Sequence, residues 1–380
     1  MTVENPLRAG KPGAILANAV IFLIVAFAAL LNELNPDQYY LSVQEDEYIE
    51  WATVWAFLIA GIFNFVAAAR QRKTAGSMPW FLAGVGLFCI FVLLEEISWG
   101  QRIIGYRPPE YFLDQNFQQE FNLHNVVDTS YRKLALATVI AGYGVFLPLA
   151  LLVPVFRRLF DNLGVVAPPL GFAPAFAATF LVYEIYPWRF AGEWVECLLG
   201  LGFMFTSLVA ARHFRHHDHD GESSWRSHLR PLGFVALVFV FGWVAALGAR
   251  YERQVHPGTL AAVDSELAAL KNDFESGKVR RGCGVHKRLY TFVRDYDEDY
   301  LMIGAFAGLV DQGLPEQRAE FFLDPWNSPY WIRDRCASRG NPRTMFVYSL
   351  GPNRRRDSTR DEILGDDIGE YLGYRRRRSP

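Results

Sequence analysis

Between residues 14 and 249 the chain alternates apolar runs of about 20 residues with short polar stretches, and this repetition leaves few folds open. A helix rises about 1.5 Å per residue, so a run of that length matches the roughly 30 Å hydrocarbon core of a bilayer. Seven runs qualify: 14–32, 51–70, 79–98, 134–156, 168–186, 190–211 and 231–249. One water-soluble globule is excluded. The whole-chain figures, 51% hydrophobic and 21% charged, average this region with a more polar final third. A net charge of −2 argues against a nucleic-acid binder, and four cysteines are too few for a disulfide scaffold.

Lys and Arg collect on cytoplasmic loops, which orients the runs. Arg8 and Lys11, then Arg70 to Lys73, then Arg157-Arg158, then Arg212, Arg215, Arg226 and Arg230 mark the N-terminus and every second loop as inside. The loop 33–50 has no Lys or Arg and carries six acids, as an outer loop should. Everything after residue 250 then lies outside, giving a membrane domain over 1–250 and an extracytoplasmic domain over 251–380. Arg8, Lys11 and Ala26-Phe27-Ala28 also fit a secretory leader, whose removal leaves the later orientation unchanged. Cys283 and Cys336 are the two cysteines outside the runs, and an oxidising compartment lets them pair; Cys89 and Cys197 sit inside apolar runs as packing residues.

Ionisable groups inside a span cost several kcal/mol unless paired, hydrated or metal-bound, so they mark candidate sites. Glu95 and Glu96 end the third run. Glu184 and Glu193 flank the turn Tyr186-Pro187-Trp188-Arg189, and Glu196 follows Glu193 by one helical turn. The loop 99–133 carries His124, is rich in aromatic and polar residues, and is long enough to fold over the bundle. These residues form an outward-facing acidic set with two chemical uses. His124, Glu193 and Glu196 can hold a divalent metal that activates water, or the acids can relay protons and bind a cation. Ion pairing of Glu95 or Glu96 with Arg102 or Arg132, and of Glu193 with Arg189, is the purely structural alternative. No Gly-x-Ser-x-Gly, phosphate loop or His-Glu-x-x-His is present. His213, His216, His217, His219 and His228 crowd one inner loop without the spacing of a closed zinc site, and Arg375 to Arg378 suit an anionic surface.

Residues 259–271 alternate apolar and polar positions at helical spacing. Asp324-Pro325-Trp326-Asn327-Ser328-Pro329-Tyr330 reads as a turn entering a strand, and Phe346 to Gly351 as a second strand ending in a turn. With Gly365-Asp366-Asp367-Ile368, these motifs give the last 60 or so residues an order and spacing that resembles the major pseudopilin of type II secretion systems. The resemblance implies a small α+β domain whose last loop binds calcium, with Asn353 and Asp367 at the matching positions and Arg354, Arg355 and Arg356 beside them. Gly233-Phe234 followed by an apolar run is similar to a pilin entering the membrane, but Val238 stands where pilins carry an acid.

The fold class expected is therefore a mainly α membrane protein, a seven-helix transmembrane bundle followed by a small extracytoplasmic pseudopilin-like α+β domain, in a bacterial inner membrane. Its partners are the lipid bilayer and an envelope protein docked by the C-terminal domain. The competing expectation is a membrane-embedded, metal-dependent hydrolase or transferase acting on a lipid or lipid-linked substrate. Seven spans with outer acids are similar in outline to the alkaline ceramidase superfamily, whose several zinc-site histidines are missing here. A transporter is the third class, and no internal repeat is visible for it.

Overall fold

A computed structural model describes residues 11–43, 47–75, 79–104, 106–116, 118–216, 257–279, 283–296, 306–311, 314–337, 343–354, 356–359 and 361–373. The described chain is mostly helical, with a small antiparallel sheet. The expected run at 231–249, the histidines beyond 216, Arg355 and the final arginines lie outside the described residues. The chain divides into two compact units, one formed by residues 1–97 and 127–245, the other by 98–126 and 246–380.

The first unit is built from helices α1 (Lys11–Leu34), α2 (Tyr48–Ala75), α3 (Trp80–Glu96), α4 (Thr129–Ala150), α5 (Ala173–Ile185) and α6 (Ala191–His216). Four helical stretches are long and apolar enough to cross a membrane: Lys11–Leu34, Tyr48–Lys73, Thr129–Ala150 and Ala191–Phe214. The expected runs at 79–98 and 168–186 correspond to shorter apolar helices, Trp80–Glu96 and Leu170–Ile185. On α1 the side chains of Ile15, Leu23 and Leu30 are more than half exposed, a ridge of apolar surface that only a lipid or protein neighbour would tolerate. Such helices are what a membrane protein requires.

Small residues set how closely these helices approach. A Cβ on Gly144 or Gly202 would overlap the Phe176 ring, so α4 and α6 both close on that one aromatic side chain from α5. Beside it Tyr143 stacks on Phe203 with ring centres 4.7 Å apart and planes 7° from parallel. Tyr143 sits in a π-helical stretch of α4, residues 138–146, whose wider turn changes which side chains face the bundle.

The second unit holds α7 (Pro257–Ser276), α8 (Leu289–Tyr296) and a meander of four strands, β1 (Val285–Arg288), β2 (Trp331–Arg335), β3 (Thr344–Ser349) and β4 (Ile368–Tyr371), paired antiparallel in chain order. Strand alternation gives the sheet two different faces. Ile332, Met345 and Val347 join Val263, Leu267, Leu270 and Phe274 of α7 in the main core, to which Leu113 also belongs. Trp331, Phe346 and Tyr348 form a separate aromatic cluster with Leu350. Glu266 of α7 is buried within the core and fully engaged: Arg318 reaches its two oxygens at 2.7 and 2.8 Å, and the Tyr330 hydroxyl donates at 2.6 Å. Burial raises the Glu266 pKa above its usual range, against the opposing pull of Tyr330 and Arg318. A disulfide joins Cys283 to Cys336 across the start of β1 and the end of β2, with Cα atoms 4.9 Å apart.

Candidate functional site

The glutamates singled out in the sequence gather at one end of the first unit. Glu95 is buried and Glu96 half-buried at the end of α3; Glu193 and Glu196 are half-buried in the first turns of α6; Glu184 is exposed near the end of α5. Only Glu184 and Glu196 share a neighbour here. Glu96 acts on the Cys197 thiol, Glu193 on the Tyr39 hydroxyl, and Glu184 and Glu196 together with Arg132 on the Tyr183 hydroxyl. Aromatic residues surround Glu193: Tyr39 stacks on Trp194 at 6.2 Å and donates to the backbone oxygen of Arg189 at 2.8 Å, while the Arg189 guanidinium lies 4.9 Å from the Phe190 ring centre. His124 belongs to the other unit. Among the described residues, no group of three or more His, Cys, Asp or Glu side chains comes together.

The segment 98–126 does not belong with the helices that flank it in sequence; it forms part of the second unit. Its start is a run of three left-handed residues, Ser98, Trp99 and Gly100, with φ of 47°, 53° and 84°. Only the glycine adopts this conformation freely, so Ser98 and Trp99 store backbone strain that the surrounding packing must hold. The Ser98 hydroxyl, fully buried, donates to a Glu120 oxygen at 2.7 Å, and the Asn122 amide donates to the same oxygen at 3.2 Å. The Asn116 amide donates to the Glu120 backbone oxygen at 2.6 Å and to the Asn122 side chain at 2.8 Å, and Gln101 accepts from the Phe121 backbone N–H at 2.6 Å. The other Glu120 oxygen accepts from Arg288 of β1 at 3.3 Å.

From Arg288 the network continues over the aromatic face of the sheet. The guanidinium carbons of Arg288 and Arg356 lie 4.2 and 4.1 Å from the Trp331 ring centre, close enough for strong cation–π contact. Arg356 also donates from Nε to the Tyr348 hydroxyl at 3.2 Å, and that hydroxyl is 3.1 Å from Nε2 of His286. Arg288, Trp331, Tyr348 and Arg356 are all buried, whereas the cross-strand pair His286 and Arg333 is half-buried at the margin. Nothing in the local sequence signals this assembly. Glu120 and Arg288 meet only through the tertiary fold.

The loop between β3 and β4 contains the two residues matched to a calcium site. Asn353 donates to Oδ2 of Asp357 at 2.9 Å. Asp367 accepts the backbone N–H groups of Ser358 and Asp357 on Oδ2 at 2.7 and 3.2 Å, while its Oδ1 is buried without a hydrogen-bond partner. Burial pushes the Asp367 carboxyl up to about 7, partly countered by its hydrogen bonds to Ser358. Of the neighbouring arginines, Arg354 donates to the Trp326 carbonyl at 2.9 Å, while Arg356 donates to Tyr348 and its charge also acts on Asp367. Asp357, not marked in the sequence, stands between Asn353 and Asp367. Through the Trp326 carbonyl, Arg354 ties the loop to the Asp324–Tyr330 turn, and fully buried Asp324 ties the same turn to the end of β3 by accepting the Ser349 hydroxyl, as well as the backbone N–H groups of Trp326 and Ser328. Burial pushes the Asp324 carboxyl up to about 6.

No family model, curated protein or solved structure matches the chain.

Proposed function

We propose that the chain is a multi-pass inner-membrane protein whose extracytoplasmic α+β unit resembles the major pseudopilin and docks an envelope partner, with the helical unit as its anchor. The observation that carries this reading is the composition of the second unit. The described residues of the second unit hold an open four-stranded sheet and no apolar helix of membrane length, and an open sheet cannot cross a bilayer, so 98–126 and the chain after 250 share one side of the membrane. The distribution of Lys and Arg independently assigns both to the outside. Helices α4, α5 and α6 lie between them, and the apolar run 231–249 supplies the fourth crossing that an even count demands. The disulfide suits an oxidising compartment, and the resemblance implies a small α+β domain, a class to which this mix of helices and a four-stranded sheet belongs.

Calcium belongs to the same reading. The buried, unpartnered Oδ1 of Asp367 and the nearby Asp357 carboxylate fit a hard cation that takes oxygen ligands, which would compete there with the Arg356 charge that acts on Asp367. Bound there, the ion would neutralise a carboxylate that the fold otherwise holds at a cost. The glutamate set of the first unit forms an outward-facing acidic site in this topology, suited to pairing or passing cations. A metal-dependent hydrolase has no supporting geometry among the described residues.

The test is topology followed by contact in cells. With Cys89 and Cys197 replaced, single cysteines at Ser130 and Ser265 should react with an impermeant maleimide in intact spheroplasts, and one at Lys73 only after lysis. A photo-crosslinking residue at exposed Tyr371 of β4 should then join the full chain to a defined envelope protein. Protection of Ser130 and Ser265, or absence of a crosslink under native expression, would remove the reading.

A further inference from the structure

We infer that the short helix Pro154–Asn162 of the first unit lies flat in the headgroup layer of the bilayer and binds anionic lipid there. Its sequence, PVFRRLFDN, separates two kinds of residue around one axis. At about 3.6 residues per turn, Val155, Phe156, Leu159, Phe160 and the following Leu163 share one arc, while Arg157, Arg158, Asp161 and Asn162 share the other. No residue of the helix is buried. Val155 is 73% exposed, and Phe156, Leu159 and Leu163 are about half exposed. Both ends are nevertheless fixed, so this exposure is built in. Pro154 opens the helix at its first position, and Nε of Arg157 donates to the Leu151 oxygen at 3.2 Å. Gly164, with φ of 67°, closes it: its N–H and that of Val165 reach back to the Asp161 and Phe160 oxygens at 3.1 and 2.9 Å. Val165, Val166 and Ala167 are then buried at once.

The surroundings say what covers the apolar arc. The helix follows the membrane-length stretch Thr129–Ala150 directly, and exposed Phe146, Leu149 and Leu152 lead from one to the other, so the arc continues a surface that faces lipid. Half-exposed Trp80 donates from its indole to the Leu163 oxygen at 2.6 Å, and tryptophan gathers at the membrane interface. This end of the unit is also basic, because Arg72 and Lys73 close α2 just before Trp80 opens α3. Arg158 makes no hydrogen bond or ion pair among the described residues. A helix with bases on one side and Phe and Leu on the other settles in the headgroup layer with its apolar side down. Anionic headgroups then answer the two guanidiniums, one of whose charges Asp161 offsets, so the preference for anionic lipid is modest.

The full chain, with Cys89 and Cys197 replaced, is labelled with a fluorophore at one introduced cysteine and placed in bilayer discs of phosphatidylcholine and phosphatidylglycerol, whose two faces are both open to solvent. At Phe156→Cys, or at Leu159→Cys should the first fail to fold, lipid carrying a nitroxide near its headgroup should quench the label and aqueous iodide should not. At Arg158→Cys the order should reverse. Quenching at Phe156→Cys should be about two- to fivefold stronger with the nitroxide on phosphatidylglycerol than on phosphatidylcholine, and equal once Arg157→Gln and Arg158→Gln are added. Leu23→Cys, midway along α1, separates this assignment from the membrane reading on which it rests. A label there that is quenched by a nitroxide deep in the acyl chain, together with a Phe156→Cys label open to iodide, would overturn the assignment alone. So would a Phe156→Cys label shielded from both quenchers, which means that protein covers the arc, or equal quenching by the two lipids in the parent chain. Absence of lipid quenching at Leu23→Cys would remove the membrane reading itself.

Discussion

Glu120 and Arg288, 168 residues apart in the chain, form a buried ion pair at 3.3 Å, with side chains 7% and 6% exposed. Breaking such a pair leaves one charge uncompensated, and the usual cost is about 3–5 kcal/mol. Arg288→Met should therefore lower the thermal midpoint strongly, because the buried Glu120 carboxylate then loses its guanidinium partner. Adding Glu120→Gln to that variant should restore part of the loss. A double-mutant cycle by urea unfolding checks this, and additive effects would show that the pair is not coupled.

Stability of the second unit should fall as pH rises from about 4 to about 7. Asp324 and Asp367 hold their protons more tightly in the fold than when exposed, with pKa values of about 6 and about 7 against an unperturbed 3.8. Below pH 4 both states are protonated and nothing is gained or lost. Above each folded pKa the penalty of a buried charge is complete. Asp367→Asn should reduce the stability difference between pH 5 and pH 8 by about 1–3 kcal/mol. A calcium effect through Asp367 has the opposite sense, so the midpoint rise on adding calcium should be larger at pH 8 than at pH 5.

Gly351 has φ of +67°, and a Cβ there would overlap the backbone oxygen of Asp366. Gly351→Ala should cost about 2 kcal/mol or more, since strain and overlap act together. It should also abolish any calcium-dependent midpoint shift, because the loop that brings Asp366 and Asp367 back to β3 can no longer close. Equal shifts in this variant and the parent would place calcium elsewhere.

The disulfide closes a span of 53 residues. Replacing Cys283 and Cys336 with serine should cost about 2–5 kcal/mol. Mass spectrometry of the chain isolated from cells with free thiols blocked should find the two cysteines linked. Recovery of both as blocked thiols would contradict an oxidising location for this unit.

What the sequence reveals follows the range of the forces involved. Apolar runs are local, so the positions of α1, α2 and α6 can be read from them, and the helix expected over 259–271 lies inside α7. Pro325, Pro329 and the flanking aromatic residues place the turn before β2 for the same reason. Strands β1 and β4 are four residues long and too short for alternation to show. The arginine cluster on Trp331 draws on β1, β2 and the loop after β3, and no window of sequence contains it. The loop 98–126 has the polar content of a functional segment, but its membership of the second unit depends on contacts such as Glu120 with Arg288 and Tyr290 with Asp114, more than 160 residues distant.

That discontinuity has a consequence for biosynthesis. Segment 98–126 leaves the ribosome well before the strands that it packs with, and 119 residues, 127–245, are made in between. During that interval the Glu120 carboxylate has no Arg288 to meet, and Leu113 has no core to enter. The second unit is thus a clasp that shuts only after its later segment has been made. A nascent chain stalled before residue 246 would carry an open half-clasp, a ready mark by which quality control could tell incomplete from complete chains.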